Sequence, residues 1–251
     1  MHARIETTLD DLIAQENIRV LFAIESGSRA WGFPSPDSDY DVRFVYARER
    51  SWYLKLFEGR DVLEVPIDKE LDLGGWDLKK ALALAVKSNP VIWEWLQSPI
   101  IYRAEPGFMA SMLQVLEPHF SPKSALHHYL AMAAKGLEEL VAAEEVRLKR
   151  YFYVIRPLLA ADWIATKNSV PPMTVDELLT LEEENSAIVA IIRDLIDMKS
   201  ELDESATLAR IEELDAFLLS KRERCERFAE KAKSVKHPVE SLDEFFQDVV
   251  G

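Results

Sequence analysis

The stretch that most limits the fold is Arg19 to Ile24, RVLFAI, an apolar run that ends at once in Glu25-Ser26-Gly27-Ser28. An apolar run this short, closed by turn residues, reads as a strand buried on both faces. Its neighbours are nearby in the sequence. Asp41 to Tyr46 (DVRFVY) reads as a second strand, Asp61 to Val65 and Glu70 to Leu73 as a third and fourth, and Pro99 to Tyr102 as a fifth. Helical spacing fits Thr8 to Gln15, Trp76 to Lys87 and Pro90 to Leu96, the last with Asn89 as cap and Pro90 in its first turn. This mixed order argues against a regular doubly wound sheet.

After Pro106 the helical period takes over. It predicts helices over 106–116, 122–143, 144–166, 174–183, 185–200, 205–221 and 238–249, with Pro157 kinking or dividing the third. Pro171-Pro172 is the clearest break in this half. The expected fold class is therefore α+β: a small mixed-sheet domain over residues 1–105, then a helical domain over 106–251.

Composition excludes several functions. The net charge is −14, which disfavours gripping long nucleic acid over the whole surface, because phosphate contacts come from Lys and Arg. A local basic pocket remains open. The acidic run from Asp176 to Glu204 reads as solvated helix faces. No apolar run approaches the roughly 20 residues that cross a bilayer, so no membrane partner is expected. The start has no signal-peptide core, which points to the cytoplasm. The single Cys225 excludes an internal disulfide and reads as a packing residue.

Chemistry concentrates where the first strand ends. Gly27-Ser28 lets backbone N–H groups and a hydroxyl approach a phosphate, although a Gly-Ser pair alone is also an ordinary turn. Ten residues beyond Ser28 comes Asp39-Tyr40-Asp41-Val42. Side chains at i and i+2 of a strand share a face, so Asp39 and Asp41 are expected to project together. Adjacent carboxylates repel unless a cation lies between them, and hard oxygen ligands of this kind suit Mg²⁺ or Mn²⁺. Asp37 fits a loop residue better. Arg43 shares the parity of the pair, and either counters triphosphate charge or forms an ion pair with these carboxylates. Arg29 is a similar candidate.

In the helical half, Lys149, Tyr153 and Arg156 fall on one helix face by i, i+4 and i+3 steps. A basic-aromatic face suits a nucleotide, and equally an amphipathic helix with snorkelling cations. Lys135 is a lesser candidate. His127-His128 point about 100° apart on a helix, a poor metal pair, and read as structural or surface residues. Trp93 and Trp95 read as core.

Gly-Ser, about ten residues, then Asp-x-Asp with an apolar or aromatic residue after each Asp, resembles the signature of the polymerase β-like nucleotidyltransferases. Gly27 to Gly32 (GSRAWG), Asp37 to Arg43 (DSDYDVR), Gly75 to Lys80 (GWDLKK), Lys87 to Pro90 (KSNP) and Tyr151 to Pro157 (YFYVIRP) are similar to the bacterial predicted nucleotidyltransferase family, also described as the RNA repair pathway DNA polymerase beta family. The likeness spans roughly residues 20 to 175. It implies a nucleotidyltransferase domain that moves a nucleoside monophosphate from an NTP to a hydroxyl, with pyrophosphate released. Asp39, Asp41 and a third carboxylate would hold the metal. Asp72 is the choice for that third group, because Leu71 and Leu73 should face the core; Asp68, Glu70 and Glu64 are the alternatives. Gly27, Ser28, Arg29, Arg43, Lys149, Tyr153 and Arg156 would bind the nucleotide. An RNA end, a tRNA, a protein hydroxyl or a small molecule stays open as acceptor. Two other readings are a non-catalytic nucleotide-binding module and an antitoxin-like protein that modifies or masks a partner.

Overall fold

The computed structural model describes residues 1–65, 70–232 and 238–251. Its elements run α1 (His2–Glu16), β1 (Arg19–Glu25), α2 (Gly27–Trp31), β2 (Tyr40–Ala47), α3 (Arg50–Tyr53), β3 (Val62–Glu64), β4 (Leu71–Asp77), α4 (Leu78–Val86), α5 (Pro90–Trp95), β5 (Ile101–Ala104) and α6 (Phe108–Leu116). There follow α7 (Pro122–Ala142), β6 (Glu145–Arg147), α8 (Leu148–Lys167), α9 (Val175–Leu179), α10 (Ala187–Glu201), β7 (Thr207–Ala209), α11 (Glu212–Lys231) and α12 (Glu240–Val250). The chain is α+β, with one five-stranded mixed sheet in the order β3-β4-β2-β1-β5. Among the described residues no helix is long and apolar enough to cross a membrane.

Two units divide the chain. The first takes the described residues of Met1–Gly27, Asp39–Phe120 and Lys236–Gly251; the second takes those of Ser28–Ser38 and Ser121–Val235. The boundary expected at 105 therefore falls inside the first unit. The Glu105 N–H donates to Leu21 O at 2.9 Å, and Phe108 of α6 packs on Phe22 of β1, ring centroids 6.3 Å apart. The C-terminal helix also returns to the first unit. Phe246 of α12 meets the Tyr53 ring edge-on at 5.0 Å, and Phe245 meets Phe108 at 5.8 Å.

In the first unit, β1 is buried at every position but its first, as an apolar run covered on both faces should be. Ile5 and Leu9 of α1 pack with Val20, Val42, Phe44, Tyr46, Leu71 and Leu73 in one apolar cluster. The alternation along β2 and β4 then leaves Asp41, Arg43, Asp72, Gly74 and Trp76 on the opposite face. There the Trp76 ring lies 4.2 Å from that of Trp95. Trp93 and Trp95 are buried, as expected of core residues.

Glu70 to Leu73 and Trp76 to Lys87, read as a strand and then a helix, join differently. β4 continues through Gly74-Gly75 to Asp77, because its parallel ladder with β2 runs from Tyr40↔Leu71 to Tyr46↔Asp77. Gly75 is a close-approach position: an added Cβ would stand 2.2 Å from the Phe44 ring. The helix starts only at Leu78, where Asp77 Oδ1 accepts the Lys79 N–H at 2.9 Å. The cap expected at Asn89 is present, its Oδ1 accepting from Val91 N at 3.0 Å.

In the second unit, α8 runs unbroken through Pro157. Most of the helix is buried, and that packing outweighs the roughly 3 kcal/mol an internal proline costs. The expected helices 144–166 and 205–221 each begin instead with a three-residue strand. β6 pairs antiparallel with β7, Val146 opposite Leu208. Strands this short carry no readable period, so α8 and α11 start later than the pattern indicated. Cys225 is buried, and burial pushes its thiol up to about 12.

Asp77 makes a testable joint. It is buried, its Oδ2 accepts the Tyr53 hydroxyl at 2.9 Å, and burial raises its carboxyl above the ordinary 3.8. Asp77→Ala is expected to cost about 1–2 kcal/mol in urea unfolding, through the lost cap. The native state holds the proton more tightly than the unfolded chain does. Stability relative to Asp77→Asn should therefore fall as pH climbs from 3.8 through the raised value, and level off above it. A pH series of unfolding curves for both proteins reads this directly.

Candidate active site

The carboxylates sit where β2 and β4 run side by side. Asp41 and Asp72 are direct partners in that parallel ladder, so their side chains leave the sheet together. The cation between them is Arg43. Its Nη2 lies 3.2 Å from Asp41 Oδ1 and 2.6 Å from Asp72 Oδ2. Its Nη1 donates to the Asp72 carbonyl at 2.9 Å and to its neighbour Val42 O at 3.0 Å. Of the two parts weighed for Arg43, the ion pair is the one present. All three side chains are partly exposed. Arg43 and Asp72 also open onto a pocket of about 650 Å³ with Gly74, Trp76 and Trp95 on its walls.

Gly27 closes on the same group. Its φ is +61°, and an added Cβ would lie 2.0 Å from Asp41 Oδ2. The glycine therefore serves two needs at once, a left-handed turn and the close passage of the backbone over a carboxylate. The Ser26 N–H donates to the Asp41 carbonyl at 2.8 Å, which carries the β1–β2 pairing up to this turn.

Beneath lies Glu25, a residue that sequence reasoning passed over. It is fully buried. Oε1 accepts the Asp41 N–H at 2.9 Å, and Oε2 accepts the Tyr102 hydroxyl. Ser98 Oγ donates to the Glu25 carbonyl at 2.6 Å. A charged residue ending a wholly apolar strand was the signal that could have found it.

The remaining expected residues divide between the units. Asp39 precedes β2 and is exposed. Glu64 pairs with Arg60, and Glu70 lies within hydrogen-bond reach of Arg4 on the surface; Asp68 falls outside the described residues. Among the described residues no three His, Cys, Asp or Glu side chains stand ready around a common metal point.

In the second unit the segment from Ser28 to Ser38 is held at each step. Ser28 Oγ donates to Ser38 Oγ at 3.2 Å, and Arg29 Nη2 donates to Ser38 O at 2.7 Å. The Trp31 ring takes the Arg156 guanidinium at 4.6 Å, and Phe33 stacks on Phe152 at 4.4 Å. Lys199 Nζ donates to Ser35 Oγ at 2.5 Å, and the Glu204 N–H donates to Asp37, the expected loop residue, at 3.1 Å. Lys199 is buried, and burial lowers its pKa. It occupies the apolar stripe of α10 with Val189, Ile192 and Leu195, a placement legible in the sequence but not read.

Lys149, Tyr153 and Arg156 share one face and line one pocket of about 520 Å³ with Trp31. Arg156 is buried, with Nε donating to Met173 O at 3.2 Å, so it builds the wall. Lys149 bonds Glu204 at 2.9 Å, which raises its pKa. Tyr153 is 54% exposed. His127 and His128 are on the surface.

The family model for the RNA repair pathway DNA polymerase beta family matches residues 1–248. The chain belongs to that family. The match includes residues 176–248, where no motif was read. Uncharacterized protein YcgL of Bacillus subtilis (strain 168) is 38% identical over 242 residues, covering 96% of this chain and 93% of that protein. A nucleotidyltransferase-like protein from Exiguobacterium sibiricum 255-15 aligns over 92% of this chain and 75% of its own, with a TM-score of 0.30 and 10% identity.

Gly27→Ala should unfold at lower urea, by on the order of 1–3 kcal/mol, from left-handed strain plus the clash with Asp41. Gly32 is the control. Its φ is +96°, but an added Cβ meets nothing within 4 Å, so Gly32→Ala should cost less. Equal costs would mean that the Asp41 contact contributes nothing.

Proposed function

We propose that this chain is a cytoplasmic nucleotidyltransferase that moves a nucleoside monophosphate from an NTP to a hydroxyl acceptor at Asp41 and Asp72. The observation that carries this reading is the in-register carboxylate pair bridged by a cation. Two carboxylates side by side are costly unless positive charge stands between them. Their hard oxygens and partial exposure fit Mg²⁺ or Mn²⁺, with Asp41 and Asp72 as the residues that would hold it. A bound ion would neutralise triphosphate charge and activate the phosphoryl centre.

With an ion held by these carboxylates, the Arg43 guanidinium, which now pairs with both of them, would be placed to pair with phosphate oxygens instead. Gly27, whose backbone passes directly over the Asp41 carboxylate, would let the triphosphate approach the chain closely. In the transfer, the acceptor oxygen bonds the α-phosphorus, and the bond from that phosphorus to the oxygen bridging the β-phosphate breaks. Pyrophosphate leaves with the electron pair, and the hydroxyl proton passes to Asp72. Most of the rate comes from positioning and fixed charge.

The test is incubation with each α-labelled NTP and Mg²⁺ against RNA, tRNA and lysate proteins. Wild type should label one acceptor class and release pyrophosphate. Asp41→Asn should lose at least about a hundredfold in rate, with a melting temperature unchanged or raised. Wild-type turnover in Asp41→Asn overturns the reading.

NTP should also raise the melting temperature only with Mg²⁺ or Mn²⁺ present. The expected gain is about 2.7 kcal/mol at a hundredfold excess over Kd. Equal shifts in EDTA would contradict a metal-bridged triphosphate.

A further inference from the structure

An acidic chain carries a locally cationic pocket in its second unit. Arg147, Lys149, Arg150 and Arg156 line it from β6 and α8, and Lys135 lines it from α7. Glu139 is the one carboxylate among the described residues on its wall; it pairs with Arg150 at 2.9 Å and reaches Lys135 at 4.0 Å. In a protein of net charge −14, such a concentration of cations marks a place where an anion is wanted.

The pocket also presents rings. Tyr153 and Met132 are among the exposed large hydrophobic side chains of the chain, and both line it. Trp31 forms part of the wall, with the buried Arg156 guanidinium over its ring at 4.6 Å. Arg156 is thereby a positioning residue that sets the indole.

We propose that this pocket binds single-stranded nucleic acid, with bases on Tyr153 and Trp31 and phosphates on Lys135, Arg147 and Arg150. Two separate rings and cations from three elements exceed what one mononucleotide uses. A metal–triphosphate fits poorly, because Glu139 is already shared between two cations and offers the ion no carboxylate pair. A phosphodiester carries one charge per residue and needs no metal, which suits a row of separate cations. The proposal deepens the function above by naming the acceptor class, and its acceptor meaning rests on that reading.

The experiment is fluorescence anisotropy of the full chain with a labelled oligouridylate of about 12 nucleotides, in EDTA and without NTP. Under these conditions it reads the pocket alone, so it can fail while transfer at Asp41 stands, and the reverse. Wild type should bind saturably and weaken with salt. Tyr153→Ala should weaken binding by about five- to a hundredfold. Arg147→Glu should weaken it and lower the salt slope by about 1. Both side chains are exposed, so both variants should keep the wild-type melting temperature. The proposal is overturned by absent saturable binding, by Tyr153→Ala binding like wild type, or by a duplex or polyglutamate displacing the strand as well as unlabelled oligouridylate does. Loss of the Mg²⁺–ATP thermal shift in Tyr153→Ala, with strand binding intact, would assign the pocket to the NTP instead.

Discussion

Repulsion between Asp41 and Asp72 is the constraint around which the sheet unit is arranged. The parallel ladder puts the two carboxylates opposite each other, and water alone would not make that placement favourable. Arg43 resolves it from the same strand, two residues on, by reaching both carboxylates and the Asp72 carbonyl. Glu25 fixes the Asp41 backbone from below, and Gly27 admits the carboxylate by having no side chain. A site organised this way spends stability on keeping charge together, and such a cost is characteristic of places that bind a cation or an anion in turn.

The helical unit is organised around a different charge problem. Its members from Ser28 to Ser38 lie in sequence between the two halves of the signature, yet they pack with α8 and α10. Trp31 on Arg156, Phe33 on Phe152 and Ser35 on Lys199 hold this segment by ring contact, cation and hydrogen bond. Lys199 gives up solvation to make its bond. The part of the family signature from Ser28 to Ser38 is therefore fastened by packing within the helical unit.

The sequence made β1 and β2 legible because their burial is complete enough to show without a partner. Asp72 was reachable by parity, since Leu71 and Leu73 had to face the core, and the ladder makes it the partner of Asp41. Glu25 was hidden because a charged residue in a fully buried position looks like a strand end. The strand read as ending at Leu73 continues through Gly74-Gly75, and Gly75 fits there because its backbone passes close to the ring of Phe44. β6 and β7 were too short to show a period, and they moved the starts of two helices. Pro157 does not divide α8, because the burial of the helix outweighs its local cost. The helical face of Lys149, Tyr153 and Arg156 was read correctly as one face, but spacing could not say that Arg156 is wall and Tyr153 is exposed.

The most direct measurement is Mn²⁺ titration followed by electron paramagnetic resonance, on wild type, Arg43→Gln and Asp41→Asn without nucleotide. If Asp41 and Asp72 form a cation site that Arg43 fills in the free protein, Arg43→Gln should bind Mn²⁺ more tightly than wild type, and Asp41→Asn should bind it least. Equal Mn²⁺ binding in all three proteins would contradict a cation site at this carboxylate pair.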